Sequence, residues 1–325
     1  MEVPASIKGI THQQTGNTPD TDLVRIKATA GQTLLIEVKA ARDKSPLDSI
    51  VDVLTATGQP VLQTRLQAVR DSWFTFRGKD SDTSDDFRMF NWQEMELNEY
   101  LYADGEVVRL WLYPRGPDSG FKVYPGFGQR QTWFNTTPST HPLQGPAFIV
   151  VPHAPDAVLR DTGLPVFPIY AENDDDPQRQ WGADSRLMFT APATGEYLVR
   201  LRDARGFQGP DYSWTLLIRE PQPDFSITAS TNELKIHPGT GREINFTATC
   251  LDGFSGPIRI TAENLPPGFY FSDPVEIQPE QRQAQQKQPG VAGRCGAQRG
   301  ERCTSDHHPQ WAHIIGEFKG WKTQT

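Results

Sequence analysis

Alternation of apolar and polar side chains reads most of this chain as strands. In residues 196–203, Tyr197, Val199 and Leu201 alternate with Leu198, Arg200 and Arg202, the period of two that puts apolar groups on one face of a pleated strand. Leu34, Ile36 and Val38 alternate with Leu35, Glu37 and Lys39, and Tyr212, Trp214, Leu216 and Ile218 share one face. Burying such a face contributes roughly 1.5–3 kcal/mol per large side chain, so each strand needs a second sheet to pack on. Residues 171–203 then divide into an acidic loop, a strand at 184–189, a turn at Ala191-Pro192-Ala193-Thr194-Gly195 and a return strand.

Between the early strands and this hairpin lie about a hundred residues, 63–168, with their own strand-like runs at 106–113 and 146–152 and Pro/Gly turns such as Pro114-Arg115-Gly116-Pro117. Residues 91–102 suit a short helix or a strand equally. The stretch 73–134 holds 15 of the chain's 33 aromatic residues. A structureless loop of that length would be unusual in a compact domain, so the segment is expected to be a β-rich insertion. Its aromatic residues form either its own core or a flat platform for sugar or peptide.

The wording of the two flanking regions resembles the bacterial pre-peptidase C-terminal domain, a small β-sandwich. The resemblance rests on Asn173-Asp174-Asp175, then Asp184-Ser185-Arg186-Leu187-Met188-Phe189-Thr190-Ala191-Pro192, then the strand from Gly195 through Tyr197 and Val199 to Asp203. Earlier in the chain, Ile7 with Gly9, Asp20 with Asp22, and Ala30-Gly31-Gln32-Thr33-Leu34-Leu35-Ile36-Glu37-Val38 are similar to the opening of that family, and residues 45–58 to its next strand and turn. The chain departs from the pattern at Leu201, where Val is usual, at Leu23-Val24, where an aromatic is usual, and in the insertion. Resemblance covers residues 7–58 and 171–218.

Beyond a short Pro-containing linker at 220–224, strand-sized runs recur at 225–227, 234–236, 244–248 and 258–260. They end in Asn264-Leu265-Pro266-Pro267-Gly268, which resembles the turn of bacterial immunoglobulin-like modules. Such a sandwich takes seven strands and about 100 residues, and fewer strands precede Gln281. Residues 281–325 have no sustained alternation and suggest a truncated or frame-altered end. The expected fold is therefore all-β: a jelly-roll-like β-sandwich over 1–220 with its insertion at 63–168, a partial immunoglobulin-like sandwich at 221–280, and a disordered or aberrant tail.

Charge narrows the partners. The segment 281–325 has seven Lys/Arg against three Asp/Glu, which leaves residues 1–280 at −12 within a chain whose total is −8. An acidic body lacks the basic stripe that nucleic acid requires. No apolar run reaches the ~20 residues of a membrane helix. The opening MEVPASIKGITHQQ lacks the charged and apolar regions of a signal peptide, so the chain reads as a segment of a longer exported protein. Cys250, Cys295 and Cys303 are too few to pair fully and match no common zinc spacing.

The acidic loop is the best candidate site. Glu172, Asn173, Asp174 and Asp176, with Asp184 and Asp203 from the hairpin, are the hard oxygen ligands calcium takes in sixes to eights. Set against this, Asp residues in turns commonly satisfy backbone N–H groups or water. A second cluster, Asp80, Asp82, Asp85 and Asp86, reads as a solvated or disordered loop. No G-x-S-x-G, H-E-x-x-H or papain-like signature occurs. His141, His153, Asp156 and Ser119 read as loop residues, since a triad is defined by geometry. Cys303, His307, His308 and His313 offer zinc ligands by type alone.

The resemblance implies a non-catalytic module of an exported bacterial protein, extracellular or at the cell surface. It would be joined to other domains of a larger polypeptide, a secreted peptidase among them, and would meet polysaccharide, protein or cell-wall material. A calcium-stabilised spacer and a hydrolase with its site in the insertion are the alternatives. No cofactor is expected with certainty, and calcium is the one considered.

Overall fold

The computed structural model describes residues 2–12, 19–75, 84–116, 119–231, 243–261 and 275–285. Two compact units divide the chain, Met1–Pro221 and Gln222–Thr325.

The first unit begins with β1 (Ala5–Ile10), β2 (Asp22–Ala28), β3 (Thr33–Lys39) and β4 (Ser49–Thr55). It continues through β5 (Leu62–Trp73), β6 (Asp86–Phe87), β7 (Tyr100–Ala103), β8 (Glu106–Leu112), β9 (Phe121–Val123), β10 (Pro125–Gly126), β11 (Gln129–Arg130), β12 (Pro146–His153) and β13 (Val166–Tyr170). It closes with β14 (Glu172–Asn173), β15 (Arg186–Thr190), β16 (Gly195–Asp203) and β17 (Ser213–Arg219).

Eight of these strands form two four-stranded antiparallel sheets, ordered β1-β17-β3-β15 and β14-β4-β16-β2. Counted along the chain as strands one to eight of the sandwich, the orders are 1-8-3-6 and 5-4-7-2, the interleaving of a jelly roll. Each sheet takes strands from both sides of the insertion. The alternating residues meet in one core: Leu34, Ile36 and Val38 face Val51, Val53, Tyr197, Val199 and Leu201, with Leu187, Phe189, Trp214, Leu216 and Ile218 completing it. Gly9 lies opposite Trp214 in the β1–β17 ladder, and a Cβ there would fall inside the indole ring.

The insertion grows out of the β4–β14 ribbon. Ala171 joins the two sheets: its carbonyl accepts from Val53 N–H at 2.9 Å and its N–H donates to Val61 O at 2.9 Å. Beyond it β5 pairs with β13, and a seven-stranded sheet follows in the order β13-β5-β12-β7-β8-β9-β6. The β7–β8 hairpin turns on Asp104-Gly105 alone, with φ of 44° and 85°, the left-handed pair that a two-residue hairpin of matching twist requires. The ambiguous stretch 91–102 resolves into a single 3-10 turn, Trp92–Glu94, and the strand β7.

The second unit contains β18 (Asp224–Ala229), β19 (Asn245–Leu251), β20 (Ile258–Ile260), β21 (Val275–Ile277) and β22 (Gln283–Gln285). They pair as β18-β19-β22 and β20-β21. Phe246, Ala248, Ile258, Ile260, Val275 and Ile277 are buried together, with Phe225 packed on Phe254. The predicted strand at 234–236, the Leu265-Pro266-Pro267-Gly268 turn and the tail from 286 lie outside the described residues, as do Cys295, Cys303, His307, His308 and His313.

Candidate functional site

Most of the carboxylates predicted for the acidic site are engaged by protein donors. Asp184, fully buried, accepts from the N–H groups of Ala40, Ala41 and Arg42 at 2.9, 2.7 and 3.2 Å, and from Arg42 Nε at 2.6 Å. Asp203 accepts from Asp48 N–H at 3.0 Å and from the N–H groups of Arg205 and Phe207 at 2.9 and 3.0 Å. Burial works against the ionised Asp203, yet these backbone donors and Arg205 outweigh it and hold its carboxyl below the ordinary Asp value.

Asp176 accepts from Gln178 and Gln180 N–H at 3.3 and 2.7 Å. Asn173 takes Arg186 N–H on Oδ1 and gives Nδ2 to Asn135 O, at 2.8 and 2.9 Å. Glu172, exposed, pairs with Arg202 at 3.2 Å. Asp174 differs: its Oδ1 is buried without a hydrogen-bond partner. Burial pushes its carboxyl up to about 6, with Asp175, Asp48 and Glu172 adding to the shift and Arg202 opposing it. Among the described residues, no group of three or more His, Cys, Asp or Glu side chains is disposed to hold a metal ion.

The second acidic cluster is a correction to the solvated loop expected from composition. Asp85 is buried, with Oδ1 on Lys122 Nζ at 2.8 Å and Oδ2 on Gly128 N–H at 3.0 Å; Asp86 accepts from Gly120 N–H at 2.6 Å. Both are turn-organising acceptors that lock the β9–β11 end of the insertion. Asp80 and Asp82 lie outside the described residues.

The insertion sheet has two unlike faces. One is closed, with Phe74, Phe87, Leu101, Val108, Leu110, Phe121 and Ile149 buried in one cluster with Met89 and Met95. On that side Glu106, 1% exposed, pairs with Arg130 Nε at 2.5 Å and with His141 Nε2 at 2.6 Å. His141 lies flat on Phe74 at 4.8 Å between ring centroids. This trio was not legible in the sequence, because its members stand 24 and 35 residues apart with no recognisable spacing.

The opposite face is only half closed. Leu66, Ala68, Val107, Val150 and Ile169 are buried there, but the rings above them are partly exposed: Tyr100, Tyr102, Trp133, Phe134, Phe148 and Phe167. Tyr102 stacks on Phe167 at 3.9 Å, and Tyr100 meets Trp133 and Phe134 edge-on. The row continues from Trp133 to Tyr124, Trp111 and Phe127, the last 43% exposed. Arg109 lies between Tyr100 and Tyr124, 5.6 and 5.7 Å from the ring centres. Its Nε donates to Asn98 O, and Tyr124 OH donates to Asn98 Oδ1. Gly126, at φ 82°, exposes bare backbone to the Trp111 ring, and a Cβ there would fall inside it. Elsewhere on the insertion Trp73 and Phe90 stack at 3.7 Å with about a third of each exposed.

The other residues considered for catalysis are scattered. Ser119 Oγ accepts the N–H groups of Arg115 and Gly116 in a local turn, at 2.7 and 3.0 Å. His153, in β12, gives its carbonyl to Thr64. No helix among the described residues is long and apolar enough to cross a membrane. No protein-family model, no curated protein and no solved structure matches the chain.

Proposed function

We propose that this chain is a non-catalytic binding and structural module of an exported bacterial protein, and that it holds neutral polysaccharide on the half-open aromatic face of its insertion. The row of partly exposed rings from Phe167 and Tyr102 through Tyr100 and Tyr124 to Trp111 and Phe127 carries the reading. Flat apolar rings edged by Tyr hydroxyls, Arg109 and Asn98 offer both a stacking surface and hydrogen-bonding rims, the combination a sugar's alternating C–H and O–H faces require. Net charge separates candidate polymers: a body at −12 over residues 1–280 disfavours polyanions, nucleic acid included.

The pre-peptidase-like wording of the two flanking halves supports an exported, peptidase-associated or cell-surface setting for the same module. A non-catalytic role agrees with the placement of the His141–Glu106 pair, which is sealed inside the insertion where no substrate reaches it. The test is retardation in native gels containing a neutral glucan, with a polyanionic gel as comparison. Trp111→Ala and Phe127→Ala are each expected to weaken retention roughly tenfold, about 1.4 kcal/mol, measured on protein shown folded by its melting transition. Retention unchanged in both variants, or found only in the polyanionic gel, overturns the reading.

A further inference from the structure

The loop between β12 and β13, residues 154–165, passes from one flank of β5 to the other, since both strands pair with β5 antiparallel. None of its residues is buried, and Val158 is as exposed as in an isolated peptide, at 101%. Residues 157–162 keep negative φ throughout and form no helix, strand or turn. Two side chains of β5 pin this open run by its main-chain carbonyls: Arg65 Nη1 donates to Ala157 O at 3.0 Å, and Gln67 Nε2 donates to Arg160 O. Val158, Arg160 and Asp161 are left exposed. Among the described residues, Arg160 has no carboxylate partner.

A break inside this run would leave β1–β12 on one piece and β13–β17 on the other. Every ladder of the jelly roll crosses that boundary: β1–β17, β17–β3 and β3–β15 in one sheet, β14–β4, β4–β16 and β16–β2 in the other. The β5–β13 ladder of the insertion crosses it as well. The core is divided in the same way, with Leu34, Ile36, Val51 and Val53 from the first piece packed among Leu187, Val199, Leu201 and Leu216 from the second. Without the loop β12 keeps β5 and β7 as partners, and β13 keeps β5. The loop therefore carries connectivity and no ladder.

We propose that residues 157–162 are a cleavage site for an endopeptidase that selects arginine, hydrolysed between Arg160 and Asp161, and that the product is a two-chain protein with interleaved halves. Exposed loop tips are where folded chains are nicked, and a peptide is most readily taken up by another protein as an added extended segment. The exposed guanidinium of Arg160 suits a pocket floored by a carboxylate. One water is consumed: the amide bond between Arg160 and Asp161 breaks, its carbonyl side becomes a carboxylate, and its nitrogen leaves as the amine of Asp161. Gln67 must release the Arg160 carbonyl for the enzyme to hold it, a local opening that disturbs no ladder.

Trace trypsin on the full chain, with mass mapping of the products, tests this. Cleavage after Arg160 is expected to be roughly tenfold or more faster than after Arg65 or Arg70, which lie in β5. The two pieces should elute together in native buffer and part only in denaturant, and the melting temperature of the nicked protein should rise with its concentration. Arg160→Gln should lose the tryptic cut, while thermolysin, which cuts beside apolar residues, should still open that variant next to Val158 or Leu159. An Arg160–Asp161 bond that survives while other bonds are cut, or that is cut no faster than those of β5, overturns the site. A variant that thermolysin leaves whole between 157 and 162 overturns it too, because the run is then not presented to any peptidase. Pieces that separate in native buffer overturn the interleaved product.

Discussion

The side chain of Asn135 pairs with the main chain of Met188 as a neighbouring strand would. Met188 N–H donates to Asn135 Oδ1 at 3.0 Å, and Asn135 Nδ2 donates back to Met188 O at 3.0 Å. Met188 lies in β15, the outer strand of its sheet, so one amide from the insertion occupies part of an edge that would otherwise present unpaired backbone groups. Asn135 also holds φ at 59°, a left-handed setting that Asn tolerates better than most residues.

Asn135→Ala is expected to remove both bonds and leave Met188 and Gln63 short of a partner, at a cost of about 1–3 kcal/mol. Urea denaturation checks this. Asn135→Asp keeps the acceptor and loses the donor, so it should fall between the natural chain and the alanine variant. A cost within experimental error of zero for both would mean that the insertion is docked by its other contacts alone.

Gly9 and Trp214 make a second cross-strand pair whose fit is steric. Because a Cβ at Gly9 would overlap the indole, Gly9→Val should displace Trp214 and break its Nε1 hydrogen bond to Asp22, now 3.0 Å. Overpacking of this kind costs about 1–3 kcal/mol. Trp214 fluorescence should shift to the red in the folded state of the variant, and an unchanged spectrum would place the strain elsewhere.

The jelly roll was legible because its strands each bury one face against the other sheet. Tyr197, Val199 and Leu201 read correctly from period alone, and so did Trp214, Leu216 and Ile218. The insertion was legible only as β-rich. In β7 and β8, Tyr100, Leu101 and Tyr102 and Val107 and Val108 face buried clusters on opposite sides of the sheet, so alternation between apolar and polar is lost. The acidic loop was only partly legible for a different reason: composition supplies acceptors but not their donors. Asp184 finds its donors in residues 40–42, more than 140 positions earlier in the chain, and no local spacing announces that.

This same geometry bears on the response of the loop to calcium. With Asp176, Asp184, Asp203 and Asn173 already accepting from backbone donors, a cation drawn to them would compete with bonds that organise three turns. Melting temperatures in calcium and in EDTA are expected to coincide. Asp184→Ala should destabilise by at least about 1–3 kcal/mol in either buffer, because it leaves the N–H groups of Ala40 and Ala41 without an acceptor. A melt raised by calcium and lowered by Asp174→Ala only in its presence would instead establish an ion at the loop.

The sealed trio in the insertion gives the sharpest stability test. Glu106 serves Arg130, His141 and the N–H of Ser139 at once, while Arg130 adds bonds to the carbonyls of Ser84 and Ser139. Removing the carboxylate leaves a guanidinium buried without its counter-charge, a loss of about 3–5 kcal/mol. Removing the imidazole leaves the Glu106–Arg130 pair intact, and a phenyl ring can keep the stack on Phe74. Glu106→Gln is therefore expected to destabilise the first unit more than His141→Phe does, by at least ~1.5 kcal/mol. The order is read from denaturation midpoints at pH 7.5. Equal losses would mean that the imidazole, rather than the guanidinium, is what the carboxylate is there to hold.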